Sequence, residues 1–194
     1  MDDSIDDLLD LLSLSEQGEA RFVGRGSGHA GYGLFGGHQL AQAIVSAYRS
    51  VDAQRRLHSV HGFFLRGGDG NQSISYDVES VRDGRAFCQR RVTGVQNDKQ
   101  IFDLTASFQT PETGPGAITP TPPRGAEPPE GLPTFEECMQ EVGPIFGEEW
   151  SEGPRPVEYR IENAPWAPAG PSEQGGINFW FRARRSLTDE PEIH

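Results

Sequence analysis

Residues 74–109 contain three runs of strand-like pattern separated only by turn sequences, and this confines the middle of the chain to adjacent antiparallel strands. In SISYDVESV the apolar positions are Ile74, Tyr76 and Val78, and in QIFDLTASFQ they are Phe102, Leu104, Ala106 and Phe108. A period of two places such residues on one face of a pleated strand. AFCQRRVTGVQ lies between them, entered through RDG and left through NDK, both short turns of the hairpin kind. Upstream, LHSVHGFFLRGG mixes apolar and polar positions and reads as a further strand of the same meander, and residues 20–25 read as another.

Only one sizeable helix is expected before residue 130. Over residues 38–50, Leu40, Ala43, Ile44 and Ala47 fall on one face, with small residues that allow close approach to a sheet. One such helix with several long antiparallel strands predicts an α+β domain in which the sheet curls around the helix and buries it on several sides. Gly36 and Gly37 open that helix. A helix start without side chains exposes backbone N–H groups, and the helix dipole adds partial positive charge there, so a polarised carbonyl could dock. The alternative is that glycine merely permits a tight strand-to-helix turn. A short N-terminal helix is also expected, capped by Ser4 and presenting Ile5, Leu8, Leu9 and Leu12 at helical spacing.

The second part of the chain is organised differently. Residues 111–133 hold eight prolines and no periodic pattern, which reads as a linker between a domain at 1–110 and a segment at 134–194. In that segment TFEECMQEVGPIFGEEW can form a short amphipathic helix with Phe135, Cys138, Met139 and Val142 on one side, and PVEYRIEN and NFWFRARRSL read as strands. Two strands cannot bury a core alone. They must dock on the first domain, pair with another chain, or belong to a domain that this sequence does not complete.

Charge narrows the partners. Residues 1–110 carry 11 basic against 14 acidic side chains, and residues 111–194 carry 6 against 15. Such acidity disfavours nucleic acid and anionic membrane surfaces. The local cluster Arg82, Arg85, Arg90 and Arg91 reads either as a phosphate-receiving patch or as a solvated strand face. Cys88 and Cys138 lie far apart without CxxC or metal-ligand spacing, so reduced thiols and no metal or cofactor are expected. An acidic N-terminus and the lack of a long apolar run predict a cytoplasmic protein without a membrane span. The glycine-rich stretch before the helix has no GK[ST] and does not satisfy GxGxxG between strand and helix.

LFGGHQLAQAI, LHSVHGFFLRGGD, YDVESVRDGRAFCQRRVTGVQNDKQIFDLTASFQTPE and RPVEYRIEN, in that order, resemble the acyl-CoA thioesterase II family, the TesB-like double hotdog enzymes. The similarity runs over residues 5–187. It implies a hotdog fold, a curled antiparallel sheet around one central helix, followed by an incomplete second hotdog. It further implies hydrolysis of fatty acyl-CoA to free acid and CoA, in fatty acid metabolism, by a water positioned between two central helices, with homo-oligomers expected. The Asp, Ser/Thr and Gln that the family uses for this step are expected to fall beyond His194. They match no position of this sequence, because the similarity ends before the second central helix, and no catalytic residue is assigned within it.

The candidate site residues are accordingly those of the binding half. Gly36 and Gly37 are candidates for the thioester carbonyl and its oxyanion. Arg66, Arg82 and Arg85 are candidates for CoA phosphates, since guanidinium pairs bidentately with phosphate. His58 and His61, three apart on a strand, are expected on opposite faces and make a poor metal pair. Structural or surface roles are expected for them and for His29 and His38. Asp69, Asp77, Asp83 and Asp103 fall at strand ends, turns or surface positions where solvated carboxylates belong. The alternatives are a non-catalytic acyl-CoA-binding hotdog or inactive truncated thioesterase, and a hotdog hydratase. The last is disfavoured because His38 has no carboxylate near it in sequence.

Overall fold

The computed structural model describes residues 4–27, 33–114, 128–142, 155–167, 170–171 and 176–193. The chain forms two compact units, one comprising residues 7–114 and 188–194, the other residues 1–6 and 115–187.

In the first unit six strands make one antiparallel sheet: β1 (Ser15–Glu16), β2 (Arg21–Gly24), β3 (Arg56–Phe64), β4 (Ile74–Asp83), β5 (Phe87–Gln96) and β6 (Lys99–Gln109). Their order is β1-β2-β4-β5-β6-β3. The meander expected from the sequence is therefore right for β4, β5 and β6 and wrong for β3. The β5–β6 turn explains the tight part: Asn97 and Asp98 both take left-handed backbone, at φ 50° and 57°, which two-residue hairpins demand. No such turn joins β3 to β4. Residues 65–73 carry the chain across the sheet, so β3 pairs with β6 at the far edge and β2 takes the free side of β4.

The helix α2 (Gly36–Tyr48) starts two residues earlier than its apolar pattern suggests and packs against β2, β3, β4, β5 and β6. That environment buries it on more than the one apolar face. Ala43, Val45 and Ala47 are buried, and so are the polar Gln42 and Ser46. Against them lie Phe22, Ile74, Tyr76, Val92, Phe102, Leu104, Ala106 and Phe108, the last four being the alternating set of β6. This is the α+β hotdog arrangement.

Burying a glutamine in such a core requires that every polar atom be paired. Tyr76 Oη donates to Gln42 Oε1 at 3.0 Å, and Gln42 Nε2 donates to the carbonyls of Leu11 (2.5 Å) and Arg25 (3.1 Å). Leu11 belongs to the N-terminal helix α1 (Ser4–Leu12), so one carboxamide ties α1, the end of β2, α2 and β4 together. Gly24 makes room for it, because a Cβ there would stand 2.3 Å from Gln42 Oε1. Burial also pushes the Tyr76 phenol up from its ordinary value, which keeps it a donor. Beyond the other end of α2, the buried Arg90 donates to Ser50 Oγ and to the Ser50 carbonyl, both at 3.0 Å. A cation at a helix C-terminus is favourably placed against the dipole.

The second unit is smaller. Thr134 and Glu137 form a reciprocal capping box at the start of α3 (Phe135–Val142), Thr134 N donating to Glu137 Oε2 at 2.7 Å and Glu137 N to Thr134 Oγ1 at 3.1 Å. Strands β7 (Val157–Asn163) and β8 (Asn178–Ala183) pair antiparallel. Cys138, Met139, Ile161, Ala164 and Ala167 form its buried cluster, as the apolar spacing of the helix suggests for the first two. Phe179, Trp180 and Phe181 on β8 remain exposed. Glu158 is gripped by Arg160 (2.6 Å) and Arg182 (2.9 Å). The guanidinium of Arg182, then that of Arg160, holds its carboxyl below the usual range.

Tyr76→Phe removes the only described donor to Gln42 Oε1 and leaves a buried acceptor unpaired. Urea unfolding is expected to show the first unit less stable by about 1–3 kcal/mol, with the far-UV circular dichroism of the native protein unchanged.

Candidate functional site

The start of α2 is built without the usual protections. Phe35 occupies the N-cap with extended backbone and has no side-chain oxygen to offer, and the first turn holds no acidic residue. The Phe35 carbonyl accepts from His38 N (3.1 Å) and Gln39 N (3.3 Å), so the N–H groups of Gly36 and Gly37 have no partner among the described residues. A Ser, Thr, Asp or Asn cap would contribute about 1 kcal/mol. This end of the helix goes without it.

An open groove of about 460 Å³ lies here, lined by Leu34, Gly36, Gln39, Phe64, Leu65, Arg66 and Gly67. Two elements frame it. The first turn of α2 forms one side, and the end of β3 with the loop that follows forms the other. Phe64, on that edge strand, lies over Gly36 and meets the Phe102 ring at 5.0 Å and a tilt of 41°.

The loop wall is held by a single buried side chain, Gln96 at the end of β5. Gln96 Nε2 donates to the carbonyls of Asp69 (2.9 Å) and Gln72 (3.0 Å), while Gln96 Oε1 accepts from Asp69 N at 2.9 Å. Gly68 O in the same loop accepts from Leu34 N at 3.0 Å. The loop and the entry to α2 are thereby fixed to each other and to the sheet. Nothing in the alternating pattern of β5 distinguishes Gln96 from a surface glutamine; only its partners do.

The residues singled out from the sequence divide between two ends of the sheet. Gly36 and Arg66 line the groove and Gly37 follows Gly36 in the first turn of α2, with Arg66 Nη1 donating to the Gln100 carbonyl at 2.6 Å. Arg82 and Arg85 are exposed near the β4–β5 turn. Phe64 pairs with Phe102 and Phe87 pairs with Gln109, so seven residues of β6 separate the two ends. At about 3.3 Å per residue that is roughly 23 Å. Arg90 and Arg91 do not form a phosphate patch. Arg90 is buried on Ser50 and paired with Asp83 at 2.8 Å, and Arg91 pairs with Asp103 at 2.8 Å.

The glycines owe their identity to aromatic rings. Neither has positive φ, so backbone strain does not require glycine at Gly37. A Cβ on Gly37 would stand 2.5 Å from the Phe35 ring, and one on Gly36 would stand 2.9 Å from the Phe64 ring. Phe35 is 69 % exposed, and Phe64, 58 % exposed, also meets Phe102 at a tilt of 41°.

The other candidates fall outside the groove. His58 Nε2 lies 2.9 Å from Ser107 Oγ and its ring meets Phe87 edge-on, while His61 meets Phe63. Among the described residues no group of His, Cys, Asp and Glu could hold a metal. His29 and the glycine-rich stretch at 28–32 lie outside the described residues. So does His194, the position beyond which the resemblance puts the family's Asp, Ser/Thr and Gln, and no role in the groove is assigned to it. Asp77 pairs with Arg21 at 2.5 Å, and Asp69 caps its own turn by accepting from Asn71 N at 2.9 Å. His38 is buried at the first turn of α2 with neither ring nitrogen hydrogen-bonded to a described residue. Burial pushes its pKa down, the Arg25 charge pushes the same way, and the Arg25 backbone opposes them.

Residues 25–109 match the acyl-CoA thioesterase N-terminal domain family. Acyl-CoA thioesterase 2 of Haemophilus influenzae is 34 % identical over 165 residues, covering 84 % of this chain and 57 % of its own length. Acyl-coenzyme A thioesterase 8 of Mus musculus is 32 % identical over 160 residues, covering 78 % and 50 %. The chain thus spans little more than half the length of these curated relatives. Among solved structures, the acyl-CoA thioesterase II TesB2 from Mycobacterium marinum superposes with a TM-score of 0.70 at 32 % identity, over 98 % of this chain and 64 % of that one. A hot dog fold protein from Alicyclobacillus acidocaldarius gives 0.70 at 18 % identity, over 90 % and 61 %, a likeness of fold alone.

Two outcomes test this site. Gly37→Ala should leave the urea midpoint of the first unit unchanged or slightly higher, since Phe35 can move and alanine is the better helix former by about 1 kcal/mol. Gly36→Ala should lower it by displacing Phe64. The His38 imidazole titrates near 6.5 when unfolded and lower when folded. Below about pH 6.5 the unfolded chain binds more protons, so stability falls as pH drops from about 7.5 to 5.5. His38→Gln should flatten that slope in urea titrations at stepped pH.

Proposed function

This chain belongs to the acyl-CoA thioesterase family through its N-terminal hotdog domain, and from that premise we propose that it takes part in hydrolysing fatty acyl-CoA to free acid and CoA. The observation that carries the reading is the uncapped start of α2 at an open groove of mixed polar and apolar lining inside the domain that matches the family. Two free N–H groups at the positive end of a helix suit a thioester carbonyl, whose oxygen gains negative charge as water attacks. Leu34, Phe64 and Leu65 suit the apolar surroundings that strengthen such bonds. Arg66 stands at the rim as a partner for CoA phosphate, with Arg82 and Arg85 as more distant ones.

The reaction is addition of water to the thioester carbon, collapse of the tetrahedral intermediate, and departure of the CoA thiolate with a proton supplied to it. It needs a base to take the proton from water, and none of the seven groove residues is a carboxylate or histidine. The base is then a group from beyond this groove, in keeping with the family's use of a second central helix. The same observation favours a second reading, in which residues 7–114 bind acyl-CoA without turning it over. The buried free thiols Cys88 and Cys138 suit a reducing cytoplasm. Among the described residues no helix is long and apolar enough to cross a membrane. The exposed edge strand β3, with Val60, Phe63 and Phe64 uncovered, supports self-association.

Equilibrium binding of octanoyl-CoA and a thiol-release assay test the proposal together. Binding with turnover lowered by about 10²- to 10⁴-fold relative to a full double hotdog relative is expected if the base is missing from this groove. Absence of binding would overturn the reading. Robust turnover abolished by His58→Ala would move the active site to the other end of β6.

A further inference from the structure

Gln39 is the one polar side chain of the groove that is both deeply buried and unexplained. It is 3 % exposed, and its Oε1 has no hydrogen-bond partner among the described residues. A buried oxygen left unpaired costs about 1–3 kcal/mol, and leucine would fill the same position without that penalty. The nearby Gln42 and Gln96 make the contrast plain, since each has both its oxygen and its nitrogen paired. Gln39 is an acceptor beside two free donors, the N–H groups of Gly36 and Gly37, in the same turn of α2.

We infer that Gln39 reads the first amide of the pantetheine arm, with its Oε1 accepting that N–H, and so acts as a specificity-determining residue. The inference rests on the thioester reading of the groove. In an acyl-CoA the atoms run C(=O)–S–CH2–CH2–NH, so four bonds lie between the carbonyl carbon and the amide nitrogen. That span is comparable with one helical turn, about 5.4 Å. A carbonyl at Gly36 and Gly37 therefore leaves the amide within reach of the Gln39 side chain. Gln39 lines the groove, and its broad, roughly two-fold terminal torsion lets the carboxamide turn at low cost to meet that amide. Sites built to hydrogen-bond a donor discriminate strongly against analogues lacking it, because the acceptor is then left unpaired in an apolar setting.

The test uses the full chain and two small thioesters, S-hexanoyl-N-acetylcysteamine and S-hexanoyl-2-acetoxyethanethiol. They differ only in that an ester oxygen replaces the amide N–H. Equilibrium dialysis should show the wild-type protein binding the amide about tenfold or more tightly than the ester. Gln39→Leu, checked for folding by circular dichroism, should bind both with the affinity that the wild type shows for the ester. Equal wild-type binding of the two compounds overturns the assignment while leaving the thioester reading standing, and this arm needs no variant to fold. A preference that persists in folded Gln39→Leu overturns it too. No binding of either compound overturns both the assignment and the reading beneath it.

Discussion

The enclosure of α2 by one curled sheet is the constraint on which the first unit depends. A helix touched by five strands cannot keep its polar residues on a wet face, so Gln42 and Ser46 are buried and must be paired. Gln42 meets that demand through Tyr76, Leu11 and Arg25, and in doing so it fixes where α1, β2 and β4 stand around the helix. Arg90 acts beyond the opposite end of the helix through Ser50. With the region past its C-terminus tied to the sheet and its middle pinned by Gln42, α2 presents its first turn in a defined place.

That first turn is where the structure leaves hydrogen-bonding capacity unused. Phe35 offers no side-chain cap, and the N–H groups of Gly36 and Gly37 and the buried Oε1 of Gln39 have no partner among the described residues. The wall facing them is rigid for the opposite reason: Gln96 has its amide fully engaged with the loop at residues 69–72. A splinted wall against an unsatisfied helix start is a reasonable construction for holding a polar ligand. In the function proposed above, a bound thioester would supply hydrogen bonds that the protein has not made for itself.

The arginines show how packing sorts residues that look equivalent in a chain. Arg82, Arg85, Arg90 and Arg91 stand close together in sequence, yet Arg90 is a buried structural cation and Arg91 is paired with Asp103 across the strands. Two remain exposed, at the end of the sheet away from the groove. Alternation along β5 puts Arg90 and Arg91 on opposite faces, and this alone separates their fates.

Local physical chemistry was enough to determine the alternating strands β4 and β6, the turn at Asn97 and Asp98, and the helix that begins near Gly36. Each of these rests on residues within a few positions of one another. The order of the strands was not legible, because β3 lacks a clean period and its place beside β6 is decided by a crossover and not by a tight turn. The candidate site was legible only in part. Gly36, Gly37 and Arg66 announce themselves by type and context, but Gln39, Phe64 and Gln96 look like any other side chains in a helix or strand. What distinguishes them is burial and hydrogen bonding to segments far away in the chain, and those exist only once the sheet has closed around α2.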